Sequence, residues 1–327
     1  MLYALPVFAR GFGFGNRLFP WARARVFCAV NGGRMLAPRW VRFAVGSLLR
    51  GGIDARAWRR QFLLQGLFHP REGDVTGLAR TLVRWRTPRA QEPEDPRRPL
   101  DPPPEPGRDL LVPFPGYRGF FRPLLGWEAT LLDELRAIAR PEHLAAVDRF
   151  PSVPVAMNVR CGHECPDPQP GARRIEVGQK TPLPWFRDAL RAVRAAAGWA
   201  APAYVVSDGT ERQLETLLAE EAVTLVRPGC AISDLLTLAR ARVLLASGSS
   251  SFSAWGSFLG GMPTASHPGQ PSSAWRLPDG EGGPPRREFD PLEPDPRFLA
   301  SAKASLGGAP RHSAYGPWTV TQSAPSA

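Results

Sequence analysis

The sequence predicts an α/β protein built on parallel sheets, and three observations carry that prediction. The chain opens with an apolar run, Leu2 to Phe8, that passes through a glycine-rich turn into a stretch of helical periodicity. From residue 153 to 246, short apolar runs alternate with helix-period segments at the spacing of βαβ units. With 327 residues, 43% of them hydrophobic, the chain can fill two cores of ordinary domain size.

Leu2 to Phe8 reads as a buried strand, and Gly11-Phe12-Gly13-Phe14-Gly15-Asn16 as the loop that follows it. From Arg17 to Val30, Leu18, Trp21, Ala22, Val26 and Ala29 recur at helical spacing, and Asn31-Gly32-Gly33 supplies the stop. Residues from about 86 to 108 are dense in proline and charge, which predicts a surface loop or linker. Leu110 to Phe114 predicts a strand and Leu124 to Val147 a helical stretch with Leu131, Leu132, Leu135 and Ile138 on one face.

The second half predicts strands at 153–159, 203–206, 224–226 and 243–246, with helices at 184–197, 211–221 and 233–240 between them. Such alternation implies a parallel sheet covered by helices, with ligands at the carboxyl ends of the strands. Beyond about residue 268 the composition turns to Pro, Gly, Ser and charge, which predicts a poorly ordered tail. The expected division is therefore 1–150, 151–267 and a tail of 268–327 that is partly disordered.

The net charge of +11 comes almost wholly from arginine, since Lys180 and Lys303 are the two lysines. These arginines are scattered among Asp and Glu, without the basic run or aromatic-spaced stripe of a nucleic-acid groove. No nucleic-acid partner is expected, whereas peripheral association with a membrane stays open. Four cysteines, Cys28, Cys161, Cys165 and Cys230, are too few for a disulfide scaffold. A reduced, cytoplasmic protein fits. Cys161 and Cys165 lack the two further ligands a zinc site needs, and no metal is expected. The apolar N-terminal run is too short for a signal peptide or a membrane span.

Three segments place small or polar residues directly after strands. Gly13, Gly15 and Asn16 stand at a helix start, where free N–H groups and the positive dipole end favour phosphate. A tight turn with no ligand is the alternative reading of that loop. Asn158-Val159-Arg160-Cys161-Gly162-His163-Glu164 brings an arginine out of a strand end, suited to a bidentate grip on phosphate oxygens or to a surface ion pair. Ser247 to Gly256 follows the last strand with serines and aromatics. Ser250, Ser251 and Phe252 suit a pyrophosphate and a nucleoside there, or a serine cap with core aromatics. Asp208, at another strand end, suits a guanine or ribose contact or a helix cap.

In their order these pieces resemble the α-1,2-fucosyltransferase family and the wider superfamily of α-1,6- and protein O-fucosyltransferases. Gly13-Phe14-Gly15-Asn16-Arg17-Leu18-Phe19 stands where that family has its GGLGNQLF-like loop. Asn158 to His163 stands at its HxRRGD-type turn, and Val206-Ser207-Asp208-Gly209 at its FSDD strand end. Ser250-Ser251-Phe252-Ser253-Ala254-Trp255-Gly256 matches the most specific block, SSFSWWG. The resemblance covers the chain's start and most of residues 153 to 263.

The resemblance implies a GT-B fold, two Rossmann-like domains facing a central cleft, with the N-terminal one on the acceptor side and the C-terminal one holding a nucleotide sugar. It implies inverting, metal-independent transfer of fucose from GDP-fucose to a hydroxyl of a glycan or polysaccharide precursor. It makes Arg160 the grip on the donor β-phosphate and Asp208 a base or ribose contact. Ser250, Ser251 and Phe252 would meet the pyrophosphate and nucleoside, while Gly13, Gly15 and Asn16 reach across the cleft. Asn158 occupies the motif histidine's position, and His163 or Glu164 is the candidate base on the acceptor. Other readings are the same fold with another nucleotide sugar, a binding protein without catalysis, and a basic adaptor.

Overall fold

The structure is a computed structural model, which describes residues 1–9, 11–40, 64–103, 105–150, 152–162, 166–169, 171–172, 174–176, 178–248, 250–270 and 286–307. It holds two sheets, and every pair of strands in them runs parallel.

The smaller sheet has the order β2-β1-β3, from β1 (Leu2–Val7), β2 (Arg34–Met35) and β3 (Leu110–Pro115). Helix α1 (Phe14–Asn31) connects β1 to β2. It ends because Gly32 takes φ 63°, a left-handed conformation that costs glycine no Cβ clash. Pro20 lies within the helix, nearly two turns in from the start.

Between β2 and β3 the chain forms α2 (Gly77–Arg86), and beyond β3 come α3 (Glu128–Ile138) and α4 (Pro141–Asp148). The single helical stretch expected over 124–147 is thus two helices. Pro141 begins the second, and Ala139 just before it is extended (φ -71°, ψ 142°).

The larger sheet has the order β6-β5-β4-β7-β8-β9. Its strands are β4 (Val153–Val159), β5 (Ala203–Ser207), β6 (Val223–Leu225), β7 (Ala241–Ala246), β8 (Thr264–Ser266) and β9 (Arg286–Glu288). The helices between them are α5 (Leu183–Ala197), α6 (Glu211–Leu218), α7 (Ala231–Ala239) and α8 (Ser251–Gly260). All seven residues of β4 are buried, as a central strand covered on both faces requires.

Beyond residue 268 the expectation of a poorly ordered tail fails over the described part. β9 pairs with β8, and α9 (Pro296–Gly307) buries Phe298, Ala302 and Leu306 in the same cluster as Phe289, Val243 and Leu245. The proline- and glycine-rich composition hid an amphipathic helix of twelve residues.

The 86–108 segment is irregular, as its prolines dictate, but it is tied down. Glu92 accepts from Arg23 Nε at 2.6 Å, with side chains 6% and 1% exposed. Leu100 N donates to Asn31 Oδ1 at 2.8 Å. Part of the arginine excess is therefore structural, with Arg17, Arg23, Arg25 and Arg80 buried.

One apolar cluster joins the two sheets. Phe19 and Trp21 of α1 and Leu131 and Leu135 of α3 share it with Ile232 and Leu235 of α7 and Trp255 and Phe258 of α8. The Phe19, Phe121 and Trp255 rings pack as a triangle, with Phe19 and Phe121 each 5.0 Å from Trp255 and 4.8 Å from each other. Each such ring removes some 150–250 Å² from water, so this cluster is a large part of what holds the α1 side to the α8 side.

Candidate functional site

In the larger sheet the chain leaves β4 toward β5 and β6 on one side, then crosses to β7 on the other. Connections that part in opposite directions open a crevice beyond the carboxyl ends of the two central strands, here β4 and β7. Arg160 directly follows β4, and Ser247-Gly248 directly follow β7.

Hydrogen bonds fasten these turns together. Arg160 N donates to Ser247 Oγ at 2.9 Å, and Cys161 N donates to Asp208 Oδ1 at 2.6 Å. Arg160, Asp208 and Ser247, from the ends of three adjacent strands, therefore form one connected cluster. Glycine is needed beside it, because a Cβ on Gly209 would lie 2.7 Å from Cys161 Sγ. Burial pushes the Cys161 thiol pKa up, which leaves it protonated and a poor nucleophile.

Asn158 points into the framework. Its Nδ2 donates to Val206 O at 3.3 Å and its Oδ1 accepts from Ser253 Oγ, joining β4 to β5 and α8. Ser250 is the N-cap of α8 and accepts from Ser253 N at 3.3 Å. Ser251 and Phe252 open that helix half-buried, with the Phe252 ring 6.2 Å from Phe14. The capping and core-aromatic roles open to this segment are thus both filled, while the first-turn N–H groups of α8 end beside the β7 turn.

The glycine loop of the smaller sheet meets this same helix end. Gly13 caps α1 without any side-chain hydrogen bond, and a Cβ on Gly15 would stand 2.7 Å from Ser251 Oγ and 2.8 Å from Phe252 N. The amino ends of α1 and α8 therefore converge, and their dipoles add positive potential at one place. Next to them Asn16 is half-buried, and its buried Oδ1 has no hydrogen-bond partner among the described residues. An orphaned acceptor in such a position is a group that a bound hydroxyl or N–H would satisfy.

His163 and Glu164, the expected acceptor-side bases, lie outside the described residues, as do Cys165 and Ser249. Among the described residues no group of three His, Cys, Asp or Glu is placed to hold a metal ion. Among them, too, no helix is long and apolar enough to cross a membrane.

Two residues of the site stand outside every sequence motif. Gln270, fully buried, accepts from Thr181 Oγ1 at 2.6 Å and from Gly248 N at 3.1 Å, while its Nε2 donates to Gln179 O at 2.8 Å. It clamps the β7 turn to the loop before α5. Its side chain is so close to Gly248 that no Cβ fits there. Arg227, just beyond β6, donates to Gly209 O at 2.9 Å and sets a second guanidinium at the Asp208 turn. Neither position carries a local signal, because each acts across a long sequence separation.

No family model and no curated protein matches the sequence. Among solved structures, the chain is similar to the α-1,6-fucosyltransferase NodZ soaked with GDP-fucose, at 15% identity and TM-score 0.46, over 80% of this chain and 92% of that one. It is similar to fucosyltransferase NodZ from Bradyrhizobium at 16% identity and TM-score 0.43, over 80% and 93%. POFUT1 in complex with GDP matches at 13% identity and TM-score 0.43, over 81% and 98%.

Proposed function

We propose that the protein is a glycosyltransferase that takes fucose from GDP-fucose and transfers it, with inversion, to a hydroxyl of a glycan or polysaccharide precursor. The observation that carries this reading is the convergence of Arg160, the Asp208 turn and the amino ends of α1 and α8 beyond the β4–β7 crevice. Such a site offers a guanidinium and two sets of free N–H groups to one dianionic group, as a diphosphate leaving group requires. The sequence motifs that place these same residues in fucosyltransferase order supply the sugar and the base.

In this reading Arg160 grips the β-phosphate and stabilises the charge that grows on GDP as the sugar–phosphate bond breaks. Asn16 accepts from the donor or acceptor through its Oδ1. Asp208 contacts the base or ribose through the oxygen that Cys161 N leaves free, and Ser250, Ser251 and Phe252 line the pyrophosphate and nucleoside. His163 and Glu164 are the candidates to take the acceptor proton. Residues 1–150 form the acceptor side and 151–267 the donor side of a GT-B arrangement.

A second reading, the same chemistry with another nucleotide sugar, is favoured by Asn158. It stands where the motif histidine would be, and its side chain is engaged by Val206 and Ser253. The experiment that decides is calorimetry with GDP, GDP-fucose, GDP-mannose, UDP and dTDP, followed by donor turnover. Binding of GDP and GDP-fucose alone, with release of fucose to water or acceptor, supports the first reading. Preference for another nucleotide sugar supports the second, and binding of none removes both.

A further inference from the structure

Helix α2 (Gly77–Arg86) exposes an apolar face that none of the other described residues covers. Leu78, Leu82 and Trp85 are 75%, 42% and 80% exposed. Spaced four and then three residues apart, they lie on one side of the helix. They are three of the seven large hydrophobic side chains exposed among the described residues, so the clustering on ten residues is not a scatter of ordinary surface.

The opposite side anchors the helix firmly. Arg80 is buried and donates from Nε to Ala37 O at 2.8 Å, and Val83 packs on Leu5, Leu36, Val75 and Leu111. A bridge from Leu36 to Val75 holds the chain before the helix, and one from Arg89 to Leu111 holds it after. The face is thus presented by a fixed element.

Charge identifies what would cover it. No Asp or Glu occurs from Val75 to Gln91, while Arg84, Arg86 and Arg89 are all exposed. Arg84 and Arg86 fall on either side of the Leu78-Leu82-Trp85 stripe, given about 100° of turn per residue. A protein groove would accept the apolar stripe but would need acidic rims to match both flanks. An anionic lipid surface supplies both at once, with an acyl boundary for the leucines, a headgroup layer that favours tryptophan and phosphates for the guanidinium groups.

We propose that α2 is a membrane-docking helix, which lies in the headgroup layer of an anionic bilayer with Leu78, Leu82 and Trp85 inserted and Arg84, Arg86 and Arg89 on the lipid phosphates. The contact is peripheral and reversible, because a helix of this length buries too little apolar surface to anchor alone. Its attraction to phosphates falls with salt.

The test is co-sedimentation of the whole protein with vesicles of phosphatidylcholine alone and of phosphatidylcholine containing about a third phosphatidylglycerol. The wild type should bind the anionic vesicles, bind neutral ones far less and release as salt is raised. The variant Leu78→Gln/Leu82→Gln/Trp85→Gln should bind anionic vesicles at least roughly tenfold more weakly, and Arg84→Gln/Arg86→Gln should lose the preference for them. All five side chains are exposed, and an unchanged melting temperature confirms folding. Failure of the wild type to bind anionic vesicles, or equal binding by the triple variant, overturns the proposal. So does a wild-type mass of two chains that falls to one in the triple variant, which gives the face to a second copy. Nucleotide binding measured on the same variants should be unchanged, so this outcome is separate from that of the transferase reading.

Discussion

Gly15 and Ser251 touch across the junction of the two sheets, for a Cβ at Gly15 would stand 2.7 Å from the Ser251 hydroxyl. The same Cβ would meet Phe252 N at 2.8 Å and Ser251 C at 2.9 Å, and backbone atoms at a helix start cannot move aside cheaply. Replacing an interior helical glycine with alanine ordinarily gains up to about 1 kcal/mol from propensity. Overpacking here costs about 1–3 kcal/mol, so Gly15→Ala should destabilise on balance. Thermal melts should show the loss, and calorimetry should show weaker GDP binding as the amino ends of α1 and α8 part. Adding Ser251→Ala should restore only part of it, because the Phe252 N contact remains.

Arg160→Ala tests the charge at the centre of the site. Loss of one strong donor to a developing anion costs on the order of 10² to 10³ in rate. Donor turnover should fall by that factor, with GDP affinity reduced. Arg160→Lys should recover part of the rate, since it returns the charge without the bidentate geometry. Undiminished turnover in the alanine variant would sink the proposed role.

How far the sequence could be read depended on whether a feature was local. The strands β4, β5 and β7 were legible because apolar runs of four to seven residues between polar turns are too short for a buried helix. Arg160, Asp208 and Ser250 were legible as strand-end residues for the same reason. What each side chain does there was not. Asn158 looks from its neighbours like a site residue, and its pairing with Ser253 is 95 positions away in the chain. Helix α9 was missed because the surrounding Pro, Gly and Ser outweighed Phe298, Ala302 and Leu306, whose four-residue spacing is helical.

Gln270→Ala should loosen the β7 turn from a distance. The amide is fully buried and makes at least three hydrogen bonds, and its loss would leave Gln179 O without this donor and Gly248 N and Thr181 Oγ1 with their long mutual contact of 3.4 Å. Orphaning such groups costs about 1–3 kcal/mol, which a urea melt resolves. If Gln270 positions the phosphate-facing turn, GDP affinity should drop more than stability alone explains at temperatures where the variant is fully folded. Unchanged affinity would confine it to a structural role.

The buried pair Arg23–Glu92 should prove to be the pin of the proline-rich segment. Arg23 also donates to Pro115 O at 2.7 Å and Gly116 O at 3.1 Å, so it ties α1, residue 92 and the end of β3 together. Burial raises the Glu92 pKa while the guanidinium opposes that shift. Removing one partner leaves a buried charge uncompensated, at about 3–5 kcal/mol. Glu92→Ala should therefore unfold more readily in urea, and proteolysis should cut sooner between residues 86 and 108. Arg97→Ala, which breaks the more exposed Arg97–Asp95 pair, is the control and should change either readout little.

His267 gives the fold a dependence on mild acid. It is buried beside Trp185, with ring centroids 5.9 Å apart, on the turn whose backbone accepts from Gln270 N. Burial lowers its pKa below the ordinary 6.5, and the nearby Pro268 carbonyl, Asp290 and Glu288 only partly offset that. Because the unfolded chain then binds the proton more readily than the folded one, the stabilising contribution is complete above pH about 6.5 and declines as the pH falls toward the folded value. Urea midpoints measured from pH 7.5 down to 5.5 should decrease, and the His267→Phe variant should show a shallower decline. Parallel curves for the two proteins would assign the acid sensitivity to other groups. Since His267 and Gln270 share one turn, GDP affinity should weaken over the same pH range in the wild type and less so in the variant.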